Sequence, residues 1–167
     1  MISPPAAFAG VLAGQTPTEW VAGRWDVGNT VRLPHDAASA AAARRQVSAE
    51  MTAQQVGDRL ADDVALVISE LVANSVRHAS PMKGGGLEVS WEVRRDAVEL
   101  RVTDGGGAAV PQPRQVGPDE VSGRGLTIVS KLADWGVQAT PGGTTVWAVV
   151  RVRAPEGANP GGTARAG

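Results

Sequence analysis

A stretch near the middle of the chain, Val64 to Ser80 (VALVISELVANSVRHAS), has the apolar periodicity of a helix but carries polar residues on its apolar side. At about 100° per residue, one stripe is formed by Leu60, Val64, Val67 and Leu71. Asn74 falls within about 20° of the Val67 direction, and Glu70 stacks beneath Asn74 on the same face. Burying these groups without partners costs about 1–3 kcal/mol for the amide and more for a charge. We therefore expect a polar partner, interpreted as a metal-bound ligand, to meet them.

The length and charge of the chain favour one ordinary domain without a polyanion-binding surface. The 167 residues suffice for a real core, and 16 basic against 17 acidic residues argue against an electrostatic nucleic-acid binder. No run approaches the roughly 18 apolar residues of a membrane span. The absence of cysteine fits a reducing compartment, so we expect a cytoplasmic protein.

The first half of the chain predicts a strand followed by two helices. Partial alternation from Arg24 to Leu33 predicts the strand, which ends at a proline. Asp36 or Ser39 can cap a helix that reaches about Ala53. The central helix begins near Asp58 and ends at His78 or the next residue, before Pro81.

The second half predicts two hairpins separated by a loop and a short helix. Residues 87–94 and 97–103 form the first hairpin, whose second strand alternates apolar side chains with Glu99, Arg101 and Thr103 on a solvent-exposed face. Residues 105–124 lack periodicity, and a loop of about twenty residues is usually functional, so we interpret it as a mobile lid. A helix at 125–133 and strands at 136–140 and 144–152 follow.

Three separated pieces of sequence have one common explanation, a magnesium nucleotide. Mg²⁺ needs about six oxygens and keeps several waters, so the Asn74 amide with phosphate oxygens is sufficient. Glu70, one turn away, could orient or deprotonate an attacking hydroxyl or water. Asp104 ends a strand before three glycines, where it can accept a hydrogen bond from an exocyclic amine. The third piece, Gly123-Arg124-Gly125-Leu126, opens a helix whose free N–H groups suit phosphates.

Each of these signals also has a structural reading. A Gly-x-Gly-Leu segment can be a helix start chosen for close packing, and Asp-Gly-Gly-Gly can be a plain turn. A glutamate and an asparagine four residues apart are usually a solvent-facing pair. We interpret His78 as a helix-end histidine that favours the C-terminal dipole. With two histidines and no cysteines, a zinc site is not expected.

The order of the segments ISELVANSVRHA, RVTDGGG, SGRGLTIVSKLAD and GGTTVWAVV resembles the GHKL (Bergerat-fold) ATP-binding superfamily. The chain is most similar to the small anti-sigma-factor serine kinases of the RsbW and SpoIIAB type, in particular to short actinobacterial ATP-binding proteins. The resemblance covers roughly residues 24–152. It implies an α/β two-layer sandwich (α+β, HATPase fold), in which about three helices cover one face of a mixed, mostly antiparallel sheet beside an ATP lid.

The resemblance implies a role for each motif residue. Glu70 matches the catalytic base and Asn74 the magnesium ligand. Asp104 matches the residue that reads the adenine amino group, with Gly106 beside it. The lid-hinge motif that meets the phosphates is matched by Gly123, Gly125 and Leu126, with Arg124 as a charge partner, and Thr145 falls where the family places a threonine near the adenine. One departure is Ala108, which stands where a second glycine is usual.

The composition of the two ends predicts a domain organisation, and the resemblance implies a function. We expect a flexible arm at 1–22, an ATP-binding domain at 23–153 and a disordered tail at 154–167. The segment before the first strand is too short for a phosphoacceptor hairpin, so a stand-alone domain is expected. It would be a serine/threonine kinase that uses ATP and Mg²⁺ to phosphorylate a STAS-type anti-sigma-factor antagonist, with a sigma factor as a second partner. Homodimerisation stays open, and neither nucleic acid nor membrane is expected as a partner. The alternative is a nucleotide-gated protein-binding module without phosphoryl transfer, which the Ala108 departure favours.

Overall fold

Apolar periodicity correctly predicts the helices of this chain. The computed structural model describes residues 28–107, 124–140 and 142–152. Its three helices are α1 (Ala38–Ala53), α2 (Asp58–His78) and α3 (Arg124–Leu132). The arm at 1–22, residues 108–123 of the lid and the tail at 154–167 fall outside the described residues, so those predictions stay predictions.

The start of α1 follows the predicted cap. The Asp36 carboxylate accepts hydrogen bonds from the backbone N–H groups of Ala38 at 2.9 Å and Ser39 at 3.1 Å. Two N–H groups that have no partner inside the helix are thereby satisfied. The Ser39 hydroxyl in turn donates to the carbonyl oxygen of Pro34, which joins the helix start to the end of the first strand.

Helix α2 buries the predicted apolar stripe against the sheet and α1. Val64, Val67 and Leu71 are fully or almost fully buried, whereas Leu60 is partly buried. The helix ends at His78 because Ala79 is already extended and Pro81 cannot continue a helix. The His78 side chain is exposed in the last turn, as expected for a helix-end histidine.

Five strands form an open sheet in the order β1-β2-β3-β5-β4. They are β1 (Asn29–Leu33), β2 (Leu87–Val93), β3 (Ala97–Asp104), β4 (Ala133–Thr140) and β5 (Gly143–Arg151). All four described pairings are antiparallel, so the expectation of a mixed sheet is not met in this part of the chain. Strand β4 begins three residues earlier than expected, directly after α3, with Trp135 and Val137 packed on the core. The α/β two-layer prediction is confirmed.

The helices pack on one face of this sheet, which we call the inner face. Alternate residues of the two central strands line it, because successive side chains of a strand point to opposite sides. They are Val98, Leu100 and Val102 of β3 with Val146, Ala148 and Val150 of β5. The opposite side is called the outer face.

The outer face contains one buried carboxylate that the sequence placed in solvent. The prediction for Glu99 is wrong, because only 4% of this residue is exposed. The Arg94 guanidinium covers it and donates from Nε to Glu99 Oε1 at 2.6 Å. Burial also lowers the pKa of the neighbouring Arg101, and the charges of Glu99 and Glu92 act in the opposite direction. This part of the outer face is therefore partly buried and carries ion pairs, whereas the sequence predicted that it faces solvent.

Within residues 28–107, 124–140 and 142–152, no helix has the length and apolar character that crossing a bilayer requires.

Candidate functional site

The predicted functional segments meet at one end of the sheet. Strand β3 ends there at Asp104, β5 begins beside it, and α2 ends above it. Two backbone hydrogen bonds of 2.8 Å join the segments that follow α2 and β3, from Ser80 N to the Gly106 oxygen and from Gly105 N to the Ser80 oxygen. Residues separated by some 25 positions in the chain are therefore held together by the backbone itself.

Asp104 is buried on the inner face and is held by two donors. It is 3% exposed. The Ser75 hydroxyl of α2 donates to Oδ2 at 2.7 Å, and the Gly106 N–H donates to Oδ1 at 2.8 Å. Gly106 has φ +82°, a conformation that glycine adopts without strain, so the turn can bring its N–H back to the carboxylate. The carboxylate is fixed in position with lone pairs still available for a ligand.

Glu70 and Asn74 lie on α2, the helix that binds this carboxylate through Ser75. Both side chains are half-buried, and Asn74 immediately precedes Ser75, which binds Asp104. Among the described residues, no hydrogen-bond partner is found for the Asn74 carboxamide. The Glu70 carboxylate reaches the first turn of α3, where Oε2 occupies the position that a Cβ at Gly125 would need. The predicted catalytic base, metal ligand and helix start are therefore neighbours.

Among the predicted site residues that the structure describes, Thr145 points to the opposite face of the sheet from Asp104. Asp104 faces the helices, so Thr103 points to the outer face. The hydroxyl of Thr145 lies 2.8 Å from that of Thr103, which shows that Thr145 shares the outer face. Thr144 pairs with Asp104 across the two strands, and its Oγ1 would be 3.4 Å from a Cβ at Gly106. Thr144 is thus the threonine beside Asp104.

The structure describes some of the predicted lid-hinge residues but not all of them. Gly123 and Ala108 lie outside the described residues. Arg124 begins α3, and Leu126 is 8% exposed in the core. Leu126 therefore anchors the helix to the core with its side chain, whereas Gly125 leaves room for Glu70.

Sequence reasoning missed two residues of this site, Ser75 and Thr144. The signal for Thr144 was available, because the alternation Val146, Ala148, Val150 places even-numbered residues of β5 on the apolar face together with Thr144. A signal for Ser75 was also available, because at about 100° per residue it falls within about 20° of the Val64 direction on the apolar stripe. The identity of its partner, Asp104, 29 residues away, has no such local signal.

The donor set of this site suits a hard cation held mainly by phosphates. No group of three or more His, Cys, Asp or Glu side chains with metal-binding geometry occurs in the described part of the chain. The described residues thus build no protein cage for a metal, and the neutral amide oxygen of Asn74 can supply one ligand to a Mg²⁺ whose other positions are filled by phosphate oxygens and waters. The N-terminus of α3, which has no acidic residue in its first turn, lies next to Glu70 and offers N–H groups for anions.

Comparisons with known proteins bear on the family and the fold of this chain. Residues 33–150 match the sequence model of the histidine kinase-like ATPase domain. Among the matching solved structures, the crystal structure of the RsbU and RsbW domains of Rv1364c from Mycobacterium tuberculosis shares 22% sequence identity, with a TM-score of 0.54. That match covers 75% of this chain and 32% of the other, and at this identity it concerns the fold. A search of curated proteins found no significant match.

Proposed function

Because the chain belongs to the histidine kinase-like ATPase domain family, the GHKL superfamily, we propose that it binds Mg-ATP and phosphorylates a serine or threonine of a protein partner. The observation that carries the proposal is the meeting of Glu70, Asn74 and Asp104 at one end of the sheet. Two segments that are far apart in sequence would supply these groups to one place: α2 the base and the oxygen ligand, and the end of β3 the base-reading carboxylate.

Adenine recognition falls to Asp104 and its neighbours. The carboxylate is an acceptor and matches the donor character of the adenine amino group, whereas guanine presents a carbonyl oxygen at that position. Gly106 has no side chain, so a flat base can approach the backbone beside it. Thr144, on the same face, can donate to or accept from the base or a bridging water.

Metal and phosphate binding fall to Asn74 and to the start of α3. Mg²⁺ would neutralise charge on the phosphates. The Asn74 oxygen suits one of its coordination positions, and the N–H groups of α3 suit the phosphate oxygens. These assignments rest on the half-buried position of Asn74 and on the approach of α3 to α2 at Gly125.

Glu70 is the proposed general base. Its carboxylate accepts the proton of a serine or threonine hydroxyl as the hydroxyl oxygen bonds to the γ-phosphorus. The bond between that phosphorus and the β–γ bridging oxygen breaks, ADP leaves, and Glu70 then returns the proton to solvent. Such transfer relies mainly on positioning and charge neutralisation, so the chain needs few reactive groups.

The proposed partner is a STAS-type anti-sigma-factor antagonist, with a sigma factor as a second partner. Support comes from the motif resemblance and from the likeness in fold to a structure that contains an RsbW domain. The same resemblance leaves homodimerisation open. A kinase of this class uses ATP, so we assign the protein to the cytoplasm, and we propose that residues 23–153 form the ATP-binding domain.

The test is a transfer assay with ATP labelled at the γ-phosphate and a panel of STAS and sigma proteins. Wild type should bind ATP only weakly without Mg²⁺ and should label a STAS protein. Asn74→Ala should lose the ATP binding that depends on Mg²⁺. Glu70→Gln should still bind ATP but transfer phosphate about 10²–10⁴-fold more slowly. Equal transfer by Glu70→Gln would refute the base assignment. Nucleotide-dependent partner binding without any labelling would favour the binding module instead.

A further inference from the structure

Ser75 lies in the segment ISELVANSVRHA but receives no role from the motif resemblance, yet it makes the shorter of the two hydrogen bonds to the proposed base-reading carboxylate. Its hydroxyl donates to Asp104 Oδ2 at 2.7 Å, and the residue is 4% exposed. We propose that Ser75 is a positioning residue for base selection, which holds the Asp104 carboxylate in the orientation that accepts the adenine amino group. This inference rests on the proposed function, because it concerns the same site.

The two donors to Asp104 act on different oxygens and come from different elements. Gly106 binds Oδ1 from the loop that follows β3, and Ser75 binds Oδ2 from α2. The terminal torsion of an aspartate is soft, so one hydrogen bond leaves the carboxylate plane free to turn. The second donor fixes that plane relative to α2, the helix that also carries Asn74.

Ser75 is itself held firmly enough to do this. It lies in the last two turns of α2, whose neighbouring residues Leu71 and Val72 are 1% and 0% exposed. A serine hydroxyl can donate one hydrogen bond, and here it donates that bond to the Asp104 carboxylate. Hydrogen bonds to a charged group are roughly twice as strong as those between neutral groups, so the serine rotor should stay aligned with Asp104.

A purely structural role predicts a different pattern of loss. If the hydroxyl only joined α2 to β3, its removal would weaken binding of every nucleotide to the same degree. If it acts through Asp104 on the amino group, the loss should disappear for a nucleotide that lacks that group. The two roles are therefore separable by changing the ligand together with the protein.

The experiment measures Mg²⁺-dependent binding of ATP and of purine riboside triphosphate, which lacks the 6-amino group, by calorimetry. Ser75→Ala should weaken ATP binding by about five- to tenfold and purine riboside triphosphate binding by less than about twofold. Ser69→Ala is the matched control, because Ser69 lies on the same helix and its hydroxyl binds the Ala65 carbonyl. It should leave both affinities unchanged.

Ser75→Cys keeps the side-chain shape with a slightly larger atom and should show the same dependence on the amino group, since a thiol is a weak donor. Equal losses for the two nucleotides, or no loss for either, would overturn the inference while leaving the proposed function intact. Failure of wild type to bind ATP would overturn the proposed function and this inference together.

Discussion

The carboxylate of Glu70 lies against the backbone of Gly125, so that α2 and the start of α3 approach each other closely at the proposed phosphate site. A Cβ at position 125 would collide with Oε2 of Glu70. The flexible glutamate side chain can move aside, whereas the helix backbone cannot do so cheaply. The absence of a side chain at Gly125 therefore allows the Glu70 carboxylate to occupy this position.

Gly125→Ala should consequently impair transfer more than folding. Alanine is a better helix former than glycine by about 1 kcal/mol, so the thermal midpoint should not fall greatly. Displacement of Glu70 should lower the transfer rate on the order of 10–100-fold. Single-turnover transfer from labelled ATP measures this rate. Gly57→Ala is the control, because a Cβ at Gly57 meets nothing within 4 Å, and wild-type transfer by Gly125→Ala would contradict the role of this contact.

Substitution of Thr144 should affect ATP binding, whereas substitution of Thr145 should affect the stability of the fold. Thr144→Val should weaken ATP binding by about fivefold, since it removes a hydroxyl beside Asp104. Thr145→Val should leave ATP affinity unchanged and lower the free energy of unfolding by about 1 kcal/mol, because it leaves the Thr103 hydroxyl without this partner.

Adding Thr103→Val to Thr145→Val should restore part of that stability, as both hydroxyls are then replaced by apolar groups of similar shape. Titration calorimetry and urea unfolding measure the two effects. If Thr145→Val weakened ATP binding and Thr144→Val did not, Thr145 rather than Thr144 would be the threonine that contacts the nucleotide.

Asp104→Asn should lower the preference for adenine over guanine. The variant keeps the side-chain shape and an oxygen that can accept from Gly106 or Ser75, but it replaces the charged acceptor of the proposed amino-group contact. We expect ATP affinity to fall about 10–100-fold and GTP affinity to change less. Competition between the two nucleotides measures the ratio. An unchanged ratio would mean that another group reads the base.

Arg94→Ala should destabilise the fold without affecting the site. It removes the cation that covers the buried Glu99 carboxylate, so the free energy of unfolding should fall by about 1–3 kcal/mol. Arg32→Ala is the matched control. Its nitrogen lies 3.8 Å from Glu88 in an exposed pair, and such pairs contribute less than about 1 kcal/mol. Denaturant unfolding measures both, and equal losses would contradict the importance of burial at Glu99.

The sequence by itself determined the elements and the order of the motifs. Apolar spacing along α2 and the cap at Asp36 depend on residues within a few positions of each other, so they can be recognised before folding. The motif order around Glu70, Asn74 and Asp104 indicated the GHKL family, which the match over residues 33–150 confirmed.

Only the tertiary structure decided which side chains meet. Alternation along β5 already indicated that Thr144 shares the apolar face, but only the sheet register places it beside Asp104 and pairs Thr145 with Thr103 on the outer face. The Ser75–Asp104 hydrogen bond joins residues 29 positions apart. Glu99 alternates like a solvent-facing residue, yet Arg94 buries it. Local periodicity follows from near-neighbour geometry, whereas these contacts depend on how helices and strands pack in three dimensions.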